Sequence, residues 1–560
     1  MSLFTDGIAR TAAGVSAGLL FGDPECLQTT SWSEIATSGR AVTAVLRDAG
    51  VSVGDRVAAL MACANDVAPV VQGVWGAGAA LTMLHQPTRQ ADLGAWPTAT
   101  LDALEMLRAQ VVLVGEPFLH LAPLLRQGGY QVVEIPSQWS ASDTEPFSPP
   151  EDAVALYQLT SGSTGVPKAV AITHANLHAC VSAMRQGAGV DVDADVMVSW
   201  LPLSHDMGMV GFLLAPMFVG MKTIYVAPTE FVKSPMIWIR LISDHAGTMT
   251  AAPNSAYSIV HQRMKAIDDR AFDLSHLRFA LCGAEPISPA TMTEFVCQAT
   301  RFGMKRQAVV AAYGLAEATL AVSFARLGQG LRVERLDANT FELHRRAVPA
   351  DPDDATGKEV VISGPPLPGF TTKIIDSSGV DLPARHLGEI LVHSAAVTKC
   401  YATAEGDVEA CDGDGWLHTG DLGYLTETGE IVVCGRLKNV IIVAGRNICP
   451  SEIEAMAETA DGVRAGAVVA FGVTTPDGSE EITVVAETLD DHDEQLHRQV
   501  RRQIMRNVFG AIGLNPNVVL VDRGSIQKTA CGKIRHLETK KKFAKSLAPG
   551  KLASSHGQQG

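Results

Sequence analysis

Residues 159–170 read LTSGSTGVPKAV, in which hydroxyl side chains and two glycines precede a proline and a lysine. Closely spaced glycines let successive backbone N–H groups converge on one point, the hydroxyls add donors, and Lys168 adds a positive charge. The segment therefore predicts a loop that binds an oxyanion such as phosphate. On composition alone, an ordinary flexible glycine–serine connection is the alternative.

The loop differs from a Walker A loop, which has four residues between its glycines and a serine or threonine directly after the lysine. Here two residues separate Gly162 from Gly165, and Ala169 follows Lys168. The apolar run KAVAI then predicts a strand. We expect strand, loop and strand, with no helix dipole directed at the anion.

Composition and charge restrict the function classes. The chain has 560 residues, 47% of them hydrophobic and 19% charged, which predicts a globular protein of two or more domains with a sizeable core. A formal charge of -15 argues against a dedicated nucleic-acid binder, and the lysines of TKKKFAK (539–545) are read as a solvated terminus. Ten cysteines without a CxxC pair predict neither disulfides nor structural zinc, so a reducing cytoplasm is expected.

Two long apolar runs, 67–84 and 207–221, are interrupted by Gln72 and Pro216 and predict buried helices rather than membrane spans. Ser31 and Glu34 form a capping-box pattern that predicts the start of a helix. Short apolar runs that mostly end in glycine recur between segments of helical length, at 55–62, 111–115, 222–227, 278–283 and 308–314. They predict the buried parallel strands of an α/β fold, in which ligands bind beyond the carboxyl ends of the strands.

From about residue 360, short β-rich runs with frequent Pro and Gly predict a compact antiparallel section. The next hundred residues regain helices and strands, which predicts a small α+β domain. We expect a large N-terminal domain over 1–436, a small mobile C-terminal domain over 437–545, and a flexible tail over 546–560.

Six further motifs follow the loop in order. They are WLPLSHDMGMVG (200–211), CGAEPIS (282–288), AAYGLAEATLAVS (311–323), GWLHTGDLGYL (415–425), GRLKNVIIVAGRNICPSEIE (435–454) and GSIQKTACGKIRH (524–536). Together they resemble the adenylate-forming superfamily of acyl-CoA synthetases, luciferases and adenylation domains over almost the entire chain. Within it, HDMG, GAEP, YGLAEAT and GRN are most similar to the fatty acyl-AMP ligases.

The resemblance implies that a carboxylate attacks the α-phosphorus of ATP to give an acyl adenylate and pyrophosphate. Because both reactants are anions, catalysis should depend on positioning and charge compensation. By the same resemblance, Glu317 would help to hold Mg²⁺. The β and γ phosphates would bind to the residues of the loop, which are Thr160, Ser161, Gly162, Ser163, Thr164, Gly165 and Lys168.

The resemblance also implies roles for residues of the other motifs. Tyr313 would stack on adenine, and Asp421 and Arg436 would bind the ribose hydroxyls. Lys533 would place its ammonium between the carboxylate and the α-phosphate, with Lys528 as the alternative, and Lys438 would be the hinge of the small domain, or else a surface lysine. The base pocket would be completed by Gly283, Ala284, Glu285, Ala312 and Gly314.

The acceptor of the adenylate is left open. Forty-six residues separate Glu317 from Gly364, more than we expect in an acyl-CoA synthetase. The segment resembles the insertion of acyl-AMP ligases, which implies transfer to the phosphopantetheine thiol of a carrier protein, with a separate acyltransferase or CoA as other partners. A complete acyl-CoA synthetase and a non-catalytic nucleotide-binding scaffold are the alternatives.

Two departures from the acyl-AMP ligase pattern concern the acid. Ser204 stands where a Tyr is usual and Ser255 where a Phe is usual. With Ala251 and Asn254 they would line a carboxylate pocket that is widened for a bulky or polycyclic acid, unless nearby packing compensates and the substrate is a fatty acid. His205 would lie beside the reacting carboxylate, with a structural histidine as the alternative.

Overall fold

The computed structural model describes residues 2–14, 17–86, 96–136, 138–140, 142–161, 167–351, 357–443, 446–474, 480–489, 494–528 and 534–547. Helices and strands alternate along the chain, as the α/β prediction requires. The helices are α1 Leu3–Gly14, α2 Trp32–Asp48, α3 Ala64–Gly76, α4 Trp96–Leu107, α5 Ala122–Gln127, α6 His174–Gly187, α7 Ala215–Val219, α8 Pro228–Lys233, α9 Met236–Asp244, α10 Asn254–Met264, α11 Pro289–Thr300, α12 Ala338–His344, α13 Pro450–Glu458, α14 Glu494–Ile512 and α15 His536–Leu547.

The strands form two large sheets and several small ones. They are β1 Gly18–Asp23, β2 Cys26–Ser31, β3 Arg56–Leu60, β4 Ala80–Met83, β5 Val111–Val114, β6 Gln131–Glu134, β7 Val154–Ser161, β8 Pro167–Thr173, β9 Val196–Ser199, β10 Lys222–Tyr225, β11 Met249–Ala252, β12 Phe279–Cys282, β13 Val309–Gly314, β14 Ala321–Phe324, β15 Val333–Leu336, β16 Lys358–Val361, β17 Phe370–Ile375, β18 Gly388–Ser394, β19 Cys400–Thr403, β20 Gly406–Glu409, β21 Leu417–Leu425, β22 Ile431–Arg436, β23 Ile441–Val443, β24 Arg446–Ile448, β25 Val463–Thr474, β26 Glu480–Thr488 and β27 Asn517–Val521.

Each large sheet has eight strands, in the orders β14-β13-β12-β11-β9-β10-β1-β2 and β20-β19-β8-β7-β4-β3-β5-β6. All five predicted strands are present as β3, β5, β10, β12 and β13, and each has a parallel neighbour. Because β11, β12 and β13 run parallel, their carboxyl ends meet at one edge of the first sheet. That edge carries the segments that begin at Ala251, Gly283 and Tyr313.

Local predictions are confirmed at α2 and around the glycine-rich loop. The Ser31 hydroxyl accepts a hydrogen bond from the Glu34 backbone N–H, and the Glu34 carboxylate accepts one from the Ser31 N–H. Strands β7 and β8 are antiparallel, with Thr160 opposite Lys168. The loop is therefore bounded by two strands and by no helix.

The apolar run 67–84 is only partly the buried helix that was predicted. Helix α3 covers its first half, but the chain turns at Gly78 (φ +87°) and Ala80–Met83 form the buried strand β4. Run 207–221 is helical, as a buried π-helix, Met207–Leu214, that continues into α7. No helix in the described part of the chain is long and apolar enough to cross a membrane.

The predicted antiparallel section is confirmed as the sheet β17-β18-β21-β22, whose last strand ends at Arg436. A short 3-10 turn, Leu437–Asn439, follows. Beyond it, α13 and α14 pack on the sheet β25-β26-β27 around a core of their own, which includes Ile453, Val484 and Ile504. Helix α15 ends at Leu547, two residues into the predicted tail, and 548–560 lie outside the described residues.

Candidate active site

A cavity of about 1260 Å³ lies between the large sheets and the small domain. Its wall includes residues from motifs that are far apart in the sequence. The predicted site residues that line it are Thr160, Lys168, Ser204, His205, Ala251, Gly283, Ala284, Ala312, Tyr313, Gly314, Glu317, Arg436 and Lys438.

The described base of the glycine-rich loop fits an anion. The Thr160 hydroxyl is buried and has no hydrogen-bond partner among the described residues. A buried hydroxyl without a partner is costly, and a phosphate oxygen would satisfy it. The predicted contacts of Gly162, Ser163, Thr164 and Gly165 lie outside the described residues, as does the side chain of Ser161.

Lys168 and Glu317 meet across the cavity floor. The lysine Nζ lies 3.4 Å from Glu317 Oε1 and 3.4 Å from the centre of the Tyr401 ring. The Tyr401 hydroxyl donates a hydrogen bond of 3.1 Å to the same Glu317 oxygen. Burial lowers the pKa of Lys168, and Glu317 opposes that shift. A second anion beside Lys168 would favour the charged form of the lysine.

The predicted nucleotide residues form a connected group. Tyr313 donates a hydrogen bond of 2.8 Å to Asp421 Oδ2, and Arg436 Nε lies 2.8 Å from Asp421 Oδ1. Asp421 and Arg436 are opposite each other on β21 and β22. Asp421 is buried behind Tyr313 and Arg436, which face the cavity. Burial, with Asp421 adding to it, raises the pKa of Tyr313.

His205 follows β9 and faces the cavity beside Ser204. Its Nδ1 lies 2.5 Å from Asp206 Oδ1, and the Ser204 carbonyl accepts a hydrogen bond of 2.9 Å from Gln158 Nε2. Burial, with smaller contributions from Arg535 of the small domain and from His205, lowers the pKa of the neighbouring His85 to about 4. His85 is therefore neutral at pH 7 at the point where the two domains meet.

Two residues of the small domain that flank the predicted catalytic lysine reach the same cavity. Lys528 and Ile534 pair in an isolated β-bridge and both line the wall. Lys533 itself lies outside the described residues. The Lys528 ammonium donates to the Gly466 carbonyl, and burial lowers its pKa.

Besides Asp421, three predicted residues in the described part of the chain do not line the cavity: Asn254, Ser255 and Glu285. Ser255 N–H donates to Glu285 Oε1 at 2.5 Å, and Asn254 Oδ1 accepts from Ser288 N–H at 3.0 Å. A Cβ added to Gly466 of the small domain would lie 3.6 Å from the Ser255 Cβ. The structure thus places Ser255 at a contact between domains, where the small domain takes up the space beside its short side chain.

An apolar part of the cavity is lined by residues of α6 and of the first sheet. We call it the acyl limb, and its wall includes Met184, Met197, Phe212, Met221 and Phe279. A limb of this kind accepts a hydrophobic chain or ring system.

Several residues of the site had no predicted role. Tyr401, Gln158 and His85 lie outside the quoted motifs, and Asp206 lies within HDMG without a role having been assigned. No local pattern marks Tyr401, because β19 reaches Lys168 only through pairing with β8. Asp206 could have been predicted, because it directly follows His205 in the sequence and a carboxylate can pair with an imidazole.

The fold and the site define an adenylate-forming enzyme, and comparison with known proteins agrees. The chain belongs to the AMP-binding enzyme family, which it matches over residues 21–402. It is an ATP-dependent adenylate-forming ligase. This assignment replaces the scaffold alternative.

Individual relatives are similar to this chain along most of their length. A putative ligase of Mycobacterium tuberculosis is 43% identical over 537 residues, covering 96% of this chain and 98% of the relative. A 4-hydroxyphenylalkanoate adenylyltransferase of Mycobacterium marinum is 30% identical, covering 91% of this chain and 85% of the relative. A solved structure from studies of fatty acyl-adenylate ligases of E. coli and L. pneumophila superimposes with a TM-score of 0.89 at 28% identity, covering 98% of each chain.

Proposed function

We propose that the protein activates a carboxylic acid as its acyl adenylate and passes the acyl group to a phosphopantetheine thiol. A carboxylate oxygen attacks the α-phosphorus of ATP, the bond to pyrophosphate breaks, and the thiol then displaces AMP from the acyl carbon. The observation that carries the proposal is one cavity wall shared by Lys168 and Glu317, by Tyr313 with Arg436, and by small-domain residues on both sides of Lys533.

Different residues would bind the phosphates, the ribose, the metal ion and the carboxylate. Lys168 would compensate the charge of the β and γ phosphates, and the Thr160 hydroxyl would donate a hydrogen bond to them. Asp421 with Arg436 would fix the ribose. Glu317 would hold Mg²⁺, which fits because one carboxylate is enough when phosphate oxygens and water are the other ligands. The ion supplies positive charge to the phosphates when it is bound. His205 would orient the carboxylate at the mouth of the acyl limb.

The substrate proposal covers a fatty acid or a bulky, polycyclic acid of specialised metabolism. Ser204 supports the wider pocket because it is buried in the cavity wall. Ser255 gives no support because it contacts the small domain. The proposal is tested by trapping adenylates with hydroxylamine across linear, aromatic and polycyclic acids, with inorganic pyrophosphate release as a second readout.

Replacing Ser204 by tyrosine is expected to narrow the entrance of the acyl limb. Activity with polycyclic acids should fall about tenfold or more, since an inserted ring costs roughly 1–3 kcal/mol in a packed site. Activity with linear acids should change less. Ser255→Phe is the matched control, and it should affect both classes of acid equally. A wild-type enzyme that prefers every linear acid would contradict the bulky-acid proposal.

We further propose that a carrier protein, rather than CoA, is the preferred acceptor. Helix α12, within the long segment after Glu317, contacts β24 of the small domain. Arg446 Nε lies 2.6 Å from Glu342 Oε2, and Glu342 is only 2% exposed. Lys358 Nζ lies 2.5 Å from Glu452 Oε2 across the same boundary. These pairs support a small domain that is held against rotation toward a CoA-accepting orientation.

The Glu342–Arg446 ion pair can be tested with a double variant, so that neither charge is left buried without its partner. The double variant Glu342→Gln with Arg446→Met should increase acyl-CoA formation about tenfold, because weakening one of two alternative states shifts their ratio. Hydroxamate formation should stay unchanged. The control is Lys373→Met, at a partly exposed ion pair with Asp381. Rapid acyl-CoA formation by the wild type would instead support a complete acyl-CoA synthetase.

A further inference from the structure

The acyl limb is apolar, but a charged side chain lines it near the amino ends of the strands, on the side opposite to His205. Arg278, directly before β12, donates hydrogen bonds to the carbonyls of Ala188 and Gly189, which places the end of α6 there. Arg185, in the last turn of α6, lines the limb together with Val190. The same two residues line a second, smaller cavity on the outer side of α6. Because the exposed Arg185 belongs to both walls, this end of the limb lies close to the surface.

Arg185 places a positive charge at this end of the limb. Arg185 is exposed, and no described residue forms an ion pair with it. The other polar side chains of the second cavity are those of His178, Ser182 and Gln186, so no carboxylate of the described part of the chain lines it. The carboxylate of Asp195, which lies in the following loop, is bound by Arg278.

Resting on the proposed function, we propose that Arg185 forms a distal anion site and that the acid carries a second carboxylate at its far end, as in an α,ω-dicarboxylic acid. The proximal carboxylate would react at His205 and become the adenylate. The hydrocarbon middle would fill the limb, and the distal carboxylate would pair with the guanidinium, whose fork matches two carboxylate oxygens. A simple alkyl chain would instead place a methyl group next to the Arg185 guanidinium.

The test compares monocarboxylic and dicarboxylic acids of equal chain length in a graded series, by hydroxylamine trapping. The variants are Arg185→Gln, which removes the charge, and Arg185→Lys, which keeps it without the fork. The control is Arg263→Gln, because Arg263 is also an exposed arginine in the last turn of a helix but does not line the cavity. It controls for the loss of a favourable helix-end charge.

For diacids long enough to span the limb, Arg185→Gln should lower kcat/KM about five- to tenfold, as expected for one partly exposed ion pair. Monoacids and shorter diacids should stay within about twofold, with Arg185→Lys intermediate between wild type and Arg185→Gln. If monoacids are activated but diacids are not, or if Arg185→Gln affects both equally, the distal site is refuted while the proposed function stands. If no acid is activated, the proposed function fails, and the distal site fails with it.

Discussion

Replacing Lys533 by alanine is expected to lower the rate of adenylate formation about a thousandfold, since one ammonium about 4 Å from the reacting anions contributes about 4 kcal/mol at an effective dielectric near 20. The effect should fall on the chemical step, because the charge is needed most where carboxylate and α-phosphate meet. ATP binding should be largely retained. The measurements are pyrophosphate exchange for the chemistry and calorimetric titration for nucleotide affinity.

Lys528→Ala is the matched comparison for this prediction. Lys528 lines the same cavity, but its ammonium is bound to the Gly466 carbonyl within the small domain. Its loss should affect packing more than chemistry, with a decrease of less than about tenfold, the value of one hydrogen bond to a charged group. If pyrophosphate exchange is retained in Lys533→Ala and lost in Lys528→Ala, Lys528 rather than Lys533 is the catalytic lysine.

The sequence predicted those parts of the fold that local patterns encode. The five strands, the Ser31 capping box and the strands β7 and β8 on either side of the glycine-rich loop each depend on neighbouring residues, and all were confirmed. The start of β4 was missed because the apolar run is continuous, and only a left-handed Gly78 marks the change from helix to strand.

Contacts between distant segments could not be predicted in the same way. Tyr401 reaches Lys168 because β19 pairs with β8, with Tyr401 opposite Val170. That register depends on the order of strands in the sheet, which no local periodicity specifies. Ser255 was assigned to the acid pocket from its motif position, but its surroundings depend on how the small domain packs against α10.

Glu317→Gln is expected to lower adenylate formation about a hundredfold, because a neutral amide retains the shape of the side chain but loses the charge that would hold Mg²⁺. The half-saturating Mg²⁺ concentration for pyrophosphate exchange should rise. The same change leaves Lys168 without its carboxylate partner at 3.4 Å, so burial would lower the pKa of Lys168 further. The lysine would then lose its charge at a lower pH, and the activity of the variant should decline earlier on the alkaline side.

Tyr401→Phe separates these contributions. The variant keeps the ring beneath the Lys168 ammonium and removes only the hydroxyl that donates to Glu317 at 3.1 Å. Activity should fall about three- to tenfold, the value of one hydrogen bond, with little change in the Mg²⁺ requirement. If Glu317→Gln also leaves the Mg²⁺ requirement unchanged while shifting the alkaline limb, the carboxylate acts by keeping Lys168 charged, and the ion must be held by other groups.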